Sequence, residues 1–217
     1  LGEQNKTALL FIHGFGASSD HWRYNAEFFA KQGFRVYALD LVGFGKSEQP
    51  TSKKLKYLDN HLWSIQVVDF IKEIMQKSEK EKVIILGNSL GGLTGITSAT
   101  FNSELISAVI AFPLPDPALM GSINLALPAW LEKSRRCITY FFFKLIPLEL
   151  IIPLIIKTEI INSALQLAYN KSIKQDIELK NIIKKPAQRA FAANALRAMC
   201  VGMSSRSARF KAPSFLK

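Results

Sequence analysis

Apolar positions along the chain follow two rhythms in turn. Ala8–Ile12 is an apolar run of strand length that ends in His13-Gly14. Ser18-Ser19-Asp20 can cap a helix through about Lys31, with Gly33 as its stop. Arg35–Leu39 reads as a second strand ending at Asp40, and a polar loop runs on through Asn60. The helix that follows carries apolar positions Ile65, Val68, Ile71 and Ile74. Val83–Leu86 suits a short strand buried on both faces, a small-residue helix starts at Leu90, and Leu105–Phe112 is a fourth strand. Strands that alternate with helices predict a parallel sheet with right-handed crossovers, so the fold class is α/β.

After Phe112 the rhythm breaks. Pro113, Pro115 and Pro117 form a stiff exit, and the pattern is then helical and greasy to about Lys185. The expected domains are a core over 1–112, an inserted helical cap over 113–185, and a return to the core over 186–217 with a helix at Ala187–Met199. Ile138–Ile156 is apolar enough to raise a membrane span. Lys144 and Glu149 interrupt it, and Pro147 and Pro153 are expected to break its helix. A cap over an apolar substrate, touching a membrane surface at most, accounts for it better.

Composition narrows the function classes. At 217 residues and 48% hydrophobic, the chain can bury a substantial core. Cys137 and Cys200 are too few and too distant for a disulfide framework, which favours a reducing compartment: cytoplasm or an organelle interior, plastid included. A net charge of +11 raises nucleic acid or anionic lipid as a partner. The lysines are scattered among glutamates, and no zinc-ligand spacing, helix-turn-helix or RNA-binding aromatic strand accompanies them. The reading is therefore a solvated basic surface with no nucleic-acid partner, while weak peripheral contact with a membrane stays open. The oligomeric state is not legible.

Three motifs carry chemistry. Val83 to Gly92 runs from a β-branched strand through Gly87-Asn88-Ser89-Leu90-Gly91 into a helix, the pattern of a sharp turn that pushes a serine hydroxyl out over a sheet. Ser89 in such a turn sits in a strained backbone region, and small neighbours make that geometry attainable. His13-Gly14-Phe15-Gly16 ends a strand where a tight turn can aim N–H groups at a developing oxyanion, and His13 itself reads as a structural histidine. Gly45-Lys46-Ser47 matches the end of a phosphate loop, yet Asp40 stands where its first glycine belongs and no helix pattern follows, so nucleotide binding is rejected.

Strand-HGFG, then D-x-x-G-F-G-x-S, then strand-GNSLGG, in this order, resembles the α/β-hydrolase superfamily across nearly the whole chain. HGFGASSDHWRYN with GNSLGG most resembles the cyanobacterial and plastid branch related to pheophytinase, which cleaves a phytyl ester. The same elbow is also similar to serine hydrolases that cut carbon–carbon bonds. Serine at position 89 argues against the dehalogenase and epoxide-hydrolase relatives, which carry Asp there. The resemblance implies Ser89 as nucleophile, with the backbone N–H groups of Phe15 and Leu90 as oxyanion hole. It implies a carboxylic-ester hydrolase acting on a small substrate with a bulky apolar group, and neither metal nor organic cofactor.

The resemblance also implies an acid and a late histidine. His13, His21 and His61 all precede Ser89. Asp116 follows the strand after the elbow but has no histidine to orient, and His61 is a conceivable substitute base. The expectation is a piece of a longer protein with acid and base beyond Lys217, the sheet incomplete on that side, and little activity by itself. A non-catalytic binding protein that kept the fold is the alternative.

Overall fold

The computed structural model describes residues 7–51, 57–75, 81–113, 129–157, 163, 176–204 and 206. Strands β1 (Ala8–Ile12), β2 (Arg35–Leu39), β3 (Val83–Asn88) and β4 (Ile106–Phe112) form a parallel sheet in the order β2-β1-β3-β4. Helix α1 (Arg23–Lys31) joins β1 to β2, α2 (Asn60–Phe70) leads to β3, and α3 (Leu90–Phe101) joins β3 to β4. Beyond the sheet lie α4 (Ala129–Leu145), α5 (Leu148–Lys157), α6 (Ile177–Ala187) and α7 (Ala192–Ser204). The α/β class expected from the alternation is the one observed.

The central strands β1 and β3 face helices on both sides, which is why their sequences are nearly continuous apolar runs. On one face Leu10, Ile12 and Ile85 pack with Trp63, Val67 and Ile71 of the α2 segment and with Ala195 and Ala198 of α7. On the other face Leu9, Phe11, Val36 and Leu86 meet Trp22 and, from α1, Ala26, Phe29 and Ala30. Among the described residues β4 is an edge strand. Its register sets Ala108, Ile110 and Phe112 beside Ile84, Leu86 and Asn88, and Ile110 and Phe112 stay exposed.

Several local expectations shift, each for a packing reason. The stripe in α2 is rotated: Val68 and Ile71 are buried as expected, but Ile65 and Ile74 are exposed, and Trp63, Val67 and Met75 complete the inner face. Trp63 sets this rotation by seating its ring in the core and donating its indole N–H to the Val42 carbonyl at 2.9 Å. Asp59 caps α2 by accepting from the Leu62 N–H, 2.9 Å. The segment after Ser18 starts as a 3₁₀ turn, Ser19–Trp22, before α1, and Ser18 makes no side-chain cap bond. Gly33, at φ +91°, does follow the end of α1.

Of the two prolines in the greasy stretch, Pro147 separates α4 from α5, whereas Pro153 lies inside α5, which continues through it. Pro186 likewise lies in the last turn of α6, so the helix expected at Ala187–Met199 is found later, as α7. The start of α6 is already tied to the core: Arg23 pairs with Asp176 at 3.1 Å and with Glu178 at 3.0 Å.

Candidate active site

Ser89 stands at the turn between β3 and α3 with φ +53° and ψ −114°, and it is the only described non-glycine residue with positive φ. Holding a residue with a Cβ in that region costs about 1–3 kcal/mol, so the surroundings must impose it. They do so by backbone contact. The Ser89 N–H donates to the carbonyl of Phe112 at the end of β4, and the Ser89 carbonyl accepts from the Leu93 N–H at 3.1 Å, opening α3.

The glycines of the motif show how close the approach is. A Cβ on Gly91 would overlap the carbonyl oxygen of Ile12 at the end of β1, and one on Gly87 would overlap the Gly91 carbonyl. With hydrogens there, the first turn of α3 lies directly on the strand ends. Leu90, its first residue, has one of the N–H groups that helix geometry leaves unpaired, at the positive end of the helix dipole.

The HGFG segment closes the other side. Gly14 O accepts from Ala17 N–H at 3.3 Å and Gly16 has φ +71°, a tight turn of the kind that needs glycine at its third position. A Cβ on Gly14 would stand 3.3 Å from the Ser89 Cβ, so this turn lies against the elbow. Phe15, at the turn's second position, is exposed and meets the Phe44 ring edge-on at 6.0 Å. The structure thus brings Ser89, Leu90 and the turn bearing Phe15 to the same end of the sheet.

His13 is fully buried and both ring nitrogens are engaged. Nε2 accepts from the Leu41 N–H at 3.1 Å, and Nδ1 lies 2.7 Å from the Gly14 carbonyl, which can only accept. These partners define a neutral ring protonated on Nδ1. Burial is the first cause of a pKa below the ordinary histidine value, against the Gly14 hydrogen bond and the nearby Asp40 carboxylate, which raise it. His13 joins the first strand end to the second and is structural, as its sequence context suggested.

The remaining candidates do not complete a site. His61 packs against the Phe101 ring at 6.5 Å. Phe101 is the last residue of α3, and a helix of that length sets it about 18 Å from the elbow. His61 is therefore displaced as a substitute base. His21 stacks on Trp22 at 6.0 Å, and burial lowers its pKa, with Arg23 adding to the effect. Asp116 lies outside the described residues. Among the described residues no hydrogen bond reaches the Ser89 hydroxyl, and no three His, Cys, Asp or Glu side chains gather as a metal-binding set.

Asp40 has a part that its motif did not reveal. Its carboxylate accepts from the Ser19 N–H at 2.5 Å and the Lys46 N–H at 2.7 Å, and its backbone carbonyl accepts from the Ser47 hydroxyl at 2.6 Å. The loop that imitates a phosphate cradle thus closes on a carboxylate of its own. The visible signal was Gly45, whose missing Cβ leaves the space the Asp40 carboxylate fills. Arg189 then ties the loop to the α6–α7 corner, donating to the Gly45 and Ser47 carbonyls at 2.6 and 2.7 Å.

Comparison with known proteins identifies the family and the fold. The family model for the alpha/beta hydrolase fold matches residues 7–135, more than half of the chain, and the chain belongs to that family. It is 31% identical over 144 residues to human epoxide hydrolase 4, covering 66% of this chain and 37% of that protein. It is 34% identical over 137 residues to the 2-hydroxy-6-oxo-6-(2'-aminophenyl)hexa-2,4-dienoic acid hydrolase of Metapseudomonas resinovorans, covering 62% and 41%. Among solved structures, a putative acyltransferase from Salmonella enterica superposes with a TM-score of 0.68 at 16% identity, over 92% of this chain and 64% of that one. A thermophilic esterase from Thermogutta terrifontis gives 0.60 at 15%, over 94% and 66%. These two likenesses concern the fold. The chain spans about two fifths of the length of the curated relatives, 37% and 41%.

Proposed function

We propose that the whole protein is a serine hydrolase of carboxylic esters that carry a bulky apolar group. The observation that carries this reading is the backbone of Ser89, held at φ +53° where a strand turns into a helix. Its hydroxyl attacks the acyl carbonyl, the alcohol leaves, and water releases the acid from the acyl-enzyme. The N–H groups of Phe15 and Leu90 receive the oxyanion, each worth about 2.7–4 kcal/mol in the transition state. The base and its orienting acid come from parts of the whole protein outside this sequence, in line with the 37% of epoxide hydrolase 4 that it spans.

The chemistry of serine favours an ester over an epoxide. A carboxylate that opens an epoxide forms an ester, which water can cleave. A serine oxygen that opens one forms an ether, which has no such exit. Acyl transfer is the turnover that this nucleophile supports. The apolar α4–α5 segment and the resemblance to the pheophytinase-related branch support a lipid or isoprenoid ester. A second reading, hydrolysis of a carbon–carbon bond by the same serine, is supported by the relative at 34% identity, whose name is that of such a dienoic acid hydrolase.

A fluorophosphonate probe on the full-length protein tests the assignment. Covalent labelling that disappears in Ser89→Ala is the expected result. Labelling that survives the substitution, or no turnover of any acyl ester by the full-length protein, overturns it.

A further inference from the structure

Helix α4 carries an apolar row that nothing in the described structure covers. Trp130, Ile138, Phe142 and Leu145 recur at helical spacing and are all exposed, Leu145 by 82%. Helix α5 extends the row with Leu150 and Leu154, exposed by 73% and 62%. Exposed apolar side chains that stand together on one face are a candidate interaction surface.

The row is held outward. Arg197 of α7 donates to the Phe143 carbonyl at 2.9 Å and the Ile146 carbonyl at 3.2 Å, at the corner between α4 and α5. It also grips Glu149 with two bonds, 2.9 and 3.0 Å. These contacts fix the inner side of the corner on α7, so the outer side cannot roll inward. The Arg197 hydrogen bonds are the first cause of a Glu149 pKa below the usual carboxylate range.

We infer that the outer face of α4 and α5 is a docking surface for the interface of an anionic phospholipid membrane. Three observations select lipid. The row mixes Trp and Phe with aliphatic side chains, the composition that settles at the boundary of headgroups and acyl chains. Lys144 and Lys157 are exposed beside it, on a chain of net charge +11, which complements anionic headgroups. No single described helix is long and apolar enough to cross a bilayer, whereas the pair Cys137–Leu145 and Leu148–Lys157 together has the length and apolarity of a broken span and is bent by 58°, a shape that a lipid interface accommodates. A fluid interface also adapts to a bent row in a way that a rigid partner does not.

The test uses a probe that the face already contains. Cys137 is exposed on α4, whereas Cys200 is half-buried with its thiol pKa raised by burial. In full-length protein with the other cysteines replaced, Cys137 is labelled with a polarity-sensitive fluorophore. The protein is then titrated with phosphatidylcholine vesicles, with and without phosphatidylglycerol. The expected result is a blue shift that requires the anionic lipid and weakens with added salt. Phe142→Glu combined with Leu145→Glu, both at exposed positions that leave the fold intact, lowers partitioning about tenfold or more.

Three results overturn the inference. One is protection of Cys137 from labelling in the native full-length protein, which means that the rest of the chain covers the face. Another is a blue shift without vesicles that grows with protein concentration, which means that a second copy does. The third is unchanged partitioning of the double variant. Fluorophosphonate labelling of Ser89 in the same samples reports separately on the esterase reading, which this inference does not need.

Discussion

The elbow at Ser89 and the α4–α5 corner are specified in opposite ways. At the elbow, the geometry depends on atoms that are missing: Gly87, Gly91 and Gly14 let three backbone segments meet where any Cβ would collide or crowd. At the corner, large side chains are in excess, and Phe142 and Leu145 are exposed. The first region is over-determined by contacts on all sides, and so it can hold a strained serine. The second is secured from one side by Arg197, and its other side exposes Phe142, Leu145, Leu150 and Leu154. Rigidity and availability are assigned to different parts of the chain.

This contrast can be broken or sharpened by substitution. The largest effect on stability is expected for Gly91→Val, which sets a branched side chain against the Ile12 and His13 carbonyls. A loss of about 3 kcal/mol in denaturant unfolding is anticipated, and a loss below 1 kcal/mol would mean that the elbow is loosely packed. Acid is next. The folded state keeps His13 neutral while the unfolded chain protonates near the ordinary value of 6.5, so the unfolded state binds the extra proton. Stability falls as pH drops below 6.5, by up to about 1.4 kcal/mol per unit until the folded ring titrates, with His21 adding in the same direction. Unfolding curves between pH 7.5 and 5.5 check the slope, and a flat profile would remove the buried neutral histidine.

Smaller effects separate the two regions further. Ser89→Gly relieves the positive φ and should raise stability by about 1 kcal/mol while removing the proposed nucleophile, so that one variant reads both strain and the proposed activity. Equal stability of Ser89→Gly and Ser89→Ala would show that the turn is not strained. Phe142→Ser, on the open face, should change stability by no more than about 0.5 kcal/mol, measured by thermal or chemical unfolding. A larger loss would mean that the side chain is packed.

Much of the core was legible because its signals are local. A β-branched run, a Gly-x-Ser-x-Gly turn and a small-residue helix follow one another within the 83–101 segment, and each reports its own backbone. The rotation of α2 was not legible, since Ile65 and Trp63 both suit a buried stripe and only the fit of the indole against the sheet and the Val42 carbonyl chooses between them. Pro153 misled in a similar way. A proline removes one hydrogen bond from a helix, and α5 tolerates that loss within its ten residues. The α/β-hydrolase resemblance pointed to Ser89 as nucleophile, and the structure sets that residue in the strained turn at the strand ends.

The sequence by itself determined the parallel α/β order, the turn that raises Ser89, and the presence of an apolar helical region after Phe112. These follow from backbone preference and hydrophobic period, which neighbouring residues settle among themselves. Only the tertiary structure decided that His13 is a neutral tie between strand ends and that Asp40 holds a loop closed. It alone decided, too, that Arg197 turns the α4–α5 row outward. Each of these depends on which backbone N–H or C=O a side chain meets far along the chain, and that pairing exists only once the sheet has brought the segments together.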